Sequence, residues 1–124
     1  TYLGAMVAGF PNLFMIHGPS TPGAQAQMIT TGEWQVNWTA DIIDDMERQG
    51  LSDIDVTEEA EESWAQEVDN VSQFSLLRLA DSWYNGKNIE GKKGGVMIYL
   101  GGFPRFRELC DAAVAESYKG FIRS

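Results

Sequence analysis

Trp34, Trp38, Ile42 and Met46 recur every four residues, with Ile29, Val36, Ala40 and Ile43 beside them. That spacing puts one apolar stripe along a helix, and the pattern predicts a helix from Gln25 to Gln49. Arg48 in its last turn and Gly50 just after it suit a helix C-terminus. Before it, Leu13-Phe14-Met15-Ile16 is a short unbroken apolar run between Pro11-Asn12 and Gly18-Pro19, the pattern of a buried strand. Ile54 to Val56 predicts a short edge strand. Thr57 is placed to cap a second helix, with Glu58 and Glu59 at its positive end and Ala60, Trp64, Val68 and Val71 as its stripe. That helix is expected to dissolve between Phe74 and Leu79. Val96 to Leu100 reads as a strand. Pro104 opens a third helix with Phe106, Leu109, Cys110, Ala113 and Val114 on its apolar face. Gly120 is expected to end that helix, and Phe121-Ile122 forms a last strand. No internal repeat interrupts this order.

Two irregular loops punctuate the elements. Gly18 to Gly23 (GPSTPG) has two prolines and two glycines, so its backbone is stiff and non-repetitive. Asp81 to Gly102 (DSWYNGKNIEGKKGGVMIYLGG) is too rich in glycine for a helix and combines Trp83 and Tyr84 with Lys87, Lys92 and Lys93. With 124 residues, the chain fits one domain or part of a larger one. Its start, Thr1 followed by Tyr-Leu-Gly, reads as an excised piece rather than as a leader.

Charge sharpens the picture. The net charge of −9 opposes general nucleic-acid binding, which requires surplus Lys and Arg. Residues 41–69 hold twelve of the eighteen acids against one base, Arg48, whereas residues 81–107 hold five of the nine bases. This polarity can steer a phosphate-bearing ligand towards the basic loop, or the acidic part can be a solvated face. A single cysteine, Cys110, rules out an internal disulfide and fits a reducing, cytoplasmic compartment. No apolar run is long enough to span a bilayer.

Gly86 to Lys93 matches G-x-x-x-x-G-K, but Lys93 stands where a phosphate loop needs Ser or Thr for magnesium. Its strand follows the loop instead of preceding it, which removes the triphosphatase reading. His17 is the only histidine; Ser20 and Thr21 lie nearby without a G-x-S-x-G elbow. A lone histidine at a strand end is structural before it is functional, and it can also line a pocket. Cys110 is placed as an inert core thiol, and one His with one Cys makes no zinc site. Glu58, Glu59, Glu61 and Glu62 form a solvated helix face. No catalytic residue and no metal ligand is assigned. The two loops remain, as ordinary connectors or as ligand loops; the first lies where open α/β folds bind ligands, at a strand end leading into a helix.

At these loops the chain resembles a known family. FPNLFMIHGPSTPGA, EWQVNW and DSWYNGKNIEGKKGGVMIYLGGFPRFRELC are similar to the C-terminal portion of Baeyer–Villiger monooxygenases such as the cyclohexanone and phenylacetone enzymes. The resemblance covers nearly the whole chain, and S-W-x-x-G-x-N-x-x-G-K is its most specific part. It implies an α+β fragment, about three helices with short strands, of a larger α/β flavoprotein with two dinucleotide-binding domains. It implies FAD and NADPH as cofactors, O₂ and a ketone as substrates, and an ester or lactone as product. Residues 1–50 would be the last strand, flavin-side loop and helix of the FAD-binding domain, and residues 51–124 the C-terminal helices with a control loop at about 81–95. Gly18, Pro19 and Met28 would lie near the flavin; Gly23, Ala24 and Gln25 would line the substrate pocket. Trp83, Asn88 and Lys92, with Gly91, would belong to the loop that folds over the nicotinamide nucleotide.

Some positions depart from the family pattern. Glu90 stands where relatives often have proline, Asn37 where they often have an acid, and Gln25 adds a polar group to the pocket loop. G-x-G-x-x-G occurs nowhere, and the family's catalytic arginine lies upstream of any segment here. Arg105 and Arg107 begin the third helix and do not take that role. The partners implied are the remaining FAD- and NADPH-binding domains, and the chain alone is expected to be inactive. The alternatives are another flavin chemistry, N- or S-oxidation, and a free-standing acidic interaction domain.

Overall fold

The apolar stripe of the first long segment becomes helix α1, Met28–Gln49, with Trp38, Ile42 and Met46 buried. Burying each such side chain is worth roughly 1.5–3 kcal/mol, so the stripe rather than local propensity holds the helix in place. The computed structural model describes residues 1–23, 26–76, 90–91 and 95–124. α1 starts later than the expected Gln25, because the Ala26 N–H turns back to the Gly23 carbonyl at 2.9 Å and Gln27 is extended. Its other end is as expected: Gly50 adopts φ 68° and returns its N–H to the carbonyls of Glu47 and Met46.

Strand β1, Ile54–Val56, follows and pairs antiparallel with strand β2, Phe121–Arg123, with Ile54 opposite Arg123 and Val56 opposite Phe121. Between them, α2 spans Glu58–Ser72 and α3 spans Phe103–Ala115. The Thr57 side chain caps α2 by accepting the Ala60 N–H at 3.1 Å. Pro104 lies in the first turn of α3.

The three helices meet at Phe106, which is fully buried. Its ring lies 6.0 Å from the rings of Trp34 on α1, Trp64 on α2 and Tyr99 on the approach to α3. Residues before and after Gly50 therefore share one core, joined by Leu3, Ala5 and Met6 of the N-terminal turn.

Several sequence expectations are corrected. Leu13–Ile16 is not a strand: Leu13 and Ile16 are exposed, and the run makes isolated bonds such as Met15 N–H to the Ala5 carbonyl at 2.7 Å. Val96–Leu100 is not a strand either, although Tyr99 is buried as the apolar pattern required. An apolar run does not by itself make a ladder: these two runs form only isolated backbone bonds, such as Tyr99 N–H to the Thr21 carbonyl at 2.9 Å. α2 ends at Ser72, and α3 ends at Ala115 rather than at Gly120, which instead turns the chain into β2 with φ 85°. Finally, Ile29, Val36 and Ile43 on α1 are exposed, Ile29 by 76%.

Candidate functional site

The loop from His17 to Gly23 is pinned on three sides. Towards the N-terminal turn, Gly18 presses on Gly4: a Cβ at Gly18 would lie 2.3 Å from the Gly4 carbonyl oxygen. Only glycine permits that backbone approach. The Thr21 hydroxyl donates back to the Gly18 carbonyl at 2.9 Å, closing the loop on itself. Towards the second loop, the Ser20 N–H donates to the Met97 carbonyl and the Tyr99 N–H to the Thr21 carbonyl, both at 2.9 Å. Gly23 then lies against Ile98, whose side chain would sit 3.0 Å from a Cβ there. Towards α1, the His17 N–H donates to Gln35 Oε1 at 2.8 Å.

The first loop thus meets, through residues 20–21, the apolar segment at 97–99 that follows the basic part of the second loop in sequence. Gly18 is buried, Pro19 is exposed, and Gly23 is half-buried between them. Met28 opens α1 beyond this loop and is 54% exposed, next to the still more exposed Ile29. Ala24, Gln25, Trp83, Asn88 and Lys92 lie outside the described residues.

His17 is half-buried and held through its backbone, and its ring packs on Gly32, where a Cβ would approach Nε2 to 2.6 Å. Cys110 is buried on α3, and burial pushes its thiol far above the usual range, so it is no nucleophile. Arg105 and Arg107 are spent on their own helix, pairing with Glu108 at 3.1 Å and Asp111 at 3.5 Å. The acidic face of α2 is not all solvated: Glu61 accepts the Ala8 N–H at 3.1 Å and ties α2 to the N-terminal segment. No group of three His, Cys, Asp or Glu could hold a metal ion among the described residues, and no described helix is long and apolar enough to cross a membrane.

Gln35, Gly32 and Gly4 were missed by the sequence reading. The signal was present in part: a glutamine on the buried stripe of α1, and a glycine inside a helix where alanine is better by about 1 kcal/mol.

The loop is held on three sides by hydrogen bonds and close packing, and Met28 and Ile29 at the start of α1 are exposed. It supplies no glycine fingerprint for dinucleotide phosphates. No family model matches the chain. It is 38% identical over 122 residues, 98% of its length, to a Baeyer–Villiger monooxygenase of Pseudooceanicola batsensis. It is 34% identical over 122 residues to a phenazine N-monooxygenase of Lysobacter antibioticus. Its fold matches a cyclohexanone monooxygenase of Rhodococcus sp. Phi1, solved with NADP+, at a TM-score of 0.91 and 39% identity over the whole chain. A second solved structure, 28% identical with a TM-score of 0.87, holds FAD and NADP together. The chain spans 22% of the length of both curated relatives and 23% of the Rhodococcus protein.

Proposed function

This chain belongs to the Baeyer–Villiger and related flavin monooxygenases as one segment of such an enzyme, and from that premise we propose that it completes an FAD- and NADPH-dependent monooxygenase acting on a ketone. The observation that carries the reading is the joint match of overall fold and sequence along the chain. The bound flavin, reduced by NADPH, supplies the oxygen-activating chemistry, and the product is an ester or lactone.

The residues of this chain position and shield. Gly18, Pro19 and Met28 are assigned to the flavin side, because Gly18 fixes the loop backbone while Pro19 and Met28 stay exposed. Gly23, Ala24 and Gln25 are assigned to the ketone pocket. Trp83, Asn88 and Lys92 are assigned to a loop closing over the nicotinamide nucleotide, on the strength of the S-W-x-x-G-x-N-x-x-G-K pattern. In the parent enzyme, residues 1–50 complete the FAD-binding domain and residues 51–124 carry the closing loop. The exposed face of Ile29, Val36 and Ile43 suits packing against further domains.

The test is a graft. Residues 1–124 replace the matching segment of the Rhodococcus cyclohexanone monooxygenase, and the flavin-loaded chimera is supplied with NADPH, O₂ and cyclohexanone. Lactone formed in proportion to NADPH consumed is the expected result. A soluble, flavin-loaded chimera that oxidises no ketone would overturn the reading. The similarity to the phenazine enzyme favours N-oxidation as a second reading, and phenazine N-oxide without any ester from the same chimera would establish it.

A further inference from the structure

The candidate loop contains two non-glycine residues in the left-handed region, His17 at φ 56° and Ser20 at φ 70°. Such backbone persists only where its surroundings hold it. Ser20 is held by main chain, through its N–H on the Met97 carbonyl. His17 is held by a side chain, Gln35 Oε1 at 2.8 Å. Gln35 is 1% exposed, so its amide works without competition from water. Its Nε2 lies 3.5 Å from the Gly4 carbonyl, the group on which Gly18 is pressed. One buried amide therefore reaches both walls of the narrow place where the loop begins. Gly32, one turn earlier on α1, leaves room for the His17 ring that this arrangement brings over the helix.

We propose that Gln35 is a positioning residue of the monooxygenase reaction. It fixes the backbone of His17 and Gly18, and through them the course of the loop to Gly23 at the edge of the ketone pocket. This rests on the flavin monooxygenase reading above. Gln35 acts on the loop, not on the reacting atoms. Small displacements of a pocket edge cost productive alignment more than they cost cofactor binding.

The test uses the flavin-loaded holoenzyme. Gln35→Met keeps length and bulk and removes both hydrogen bonds. It is expected to retain FAD, to raise the ketone KM by about tenfold, and to divert NADPH flux to hydrogen peroxide, with kcat changed less. Gln35→Glu adds a second readout. Its buried carboxyl titrates upwards. Protonated, it can both accept from His17 and donate to Gly4; ionised, it can only accept. Its ketone KM should therefore approach the wild-type value at low pH and rise with pH. His17 meets this position through its backbone N–H, with its ring on Gly32, and the wild-type pH profile is the baseline.

Unchanged KM and coupling in Gln35→Met, or a Gln35→Glu profile without the added titration, would overturn the proposal. Failure of the family reading looks different: the wild-type holoenzyme then oxidises no ketone. In that event, faster amide hydrogen exchange at residues 17–23 in Gln35→Met would preserve the loop-fixing role, and unchanged exchange would remove it too.

Discussion

Asn12 and Ile54 face each other as strand partners, although only Ile54 lies in a strand. The Asn12 N–H donates to the Ile54 carbonyl at 2.8 Å, and the Ile54 N–H donates to Asn12 Oδ1 at 3.0 Å. Asn12 Nδ2 also reaches the Ser52 carbonyl at 3.1 Å. A side-chain amide thus supplies the acceptor that a third strand would have offered to β1. Asn12→Ala should cost about 1–3 kcal/mol in urea unfolding, because it strands the Ile54 N–H. Asn12→Asp keeps the acceptor and loses the donor to Ser52, so its loss should be smaller.

Asp45 gathers four donors: Tyr118 OH at 2.8 Å, Gln49 Nε2 at 2.6 Å, Arg123 at 3.1 Å and Arg48 at 3.4 Å. The Tyr118 hydrogen bond leads in holding its carboxyl down at about 2, below the ordinary 3.8. Burial, then the same hydrogen bond, pushes the Tyr118 phenol up to about 12 from 10.0. A depressed carboxylate stabilises the fold above its ordinary value and stops doing so as pH falls from about 4 to about 2. A raised phenol stabilises it below pH 10 and stops doing so between about 10 and 12. Tyr118→Phe should flatten both limbs of a stability profile measured across these windows, and two unaltered limbs would exclude the coupling.

Gly32 and His17 should show opposite signs in a double-mutant cycle. Gly32→Ala brings a Cβ to 2.6 Å from the imidazole, against a helix-propensity gain of about 1 kcal/mol. With His17 present the substitution should destabilise. In a His17→Ala background the ring is gone, and Gly32→Ala should stabilise by about 1 kcal/mol.

Trp83→Ala tests the closing loop in the full flavoprotein. The expected outcome is a higher KM for NADPH with FAD content unchanged, measured by steady-state kinetics beside the flavin spectrum. Unaltered nicotinamide kinetics would reject the role assigned to Trp83.

The three helices were legible because their stripes repeat at helical spacing and bury against one another inside this chain. Thr57, Gly50 and Pro104 marked ends for local reasons that need no partner. β1 and β2 were legible as short strands, but their pairing joins residues far apart in sequence and only the fold reveals it. Leu13–Ile16 and the Ile29, Val36 and Ile43 face misled for a common reason. An apolar pattern says that a surface belongs against something, and Leu13, Ile16 and the α1 face stay exposed among the described residues, while Phe14 packs on the core without forming a strand. Gln35 escaped notice for the opposite reason: a polar residue on a buried stripe looks like an error in the pattern until its distant partner, His17, is seen.

The β1–β2 pairing has an engineering consequence. The Thr57 N–H donates to the Gly120 carbonyl at 3.0 Å, so the chain leaves and re-enters the small sheet at one point. Everything between, including α2, the basic loop and α3, is a cassette with its two ends tied together. A cassette from one homologue can be moved into another if its seams are matched: the sheet at its base, the Phe106 socket lined by Trp34, the bonds of Ser20 and Thr21 to Met97 and Tyr99, Glu61 on Ala8 and Tyr118 on Asp45. Shuffling at Thr57 and Gly120 would therefore exchange the closing loop with its own supporting helices, leaving the Gly18–Gly23 loop and α1 of the recipient in place.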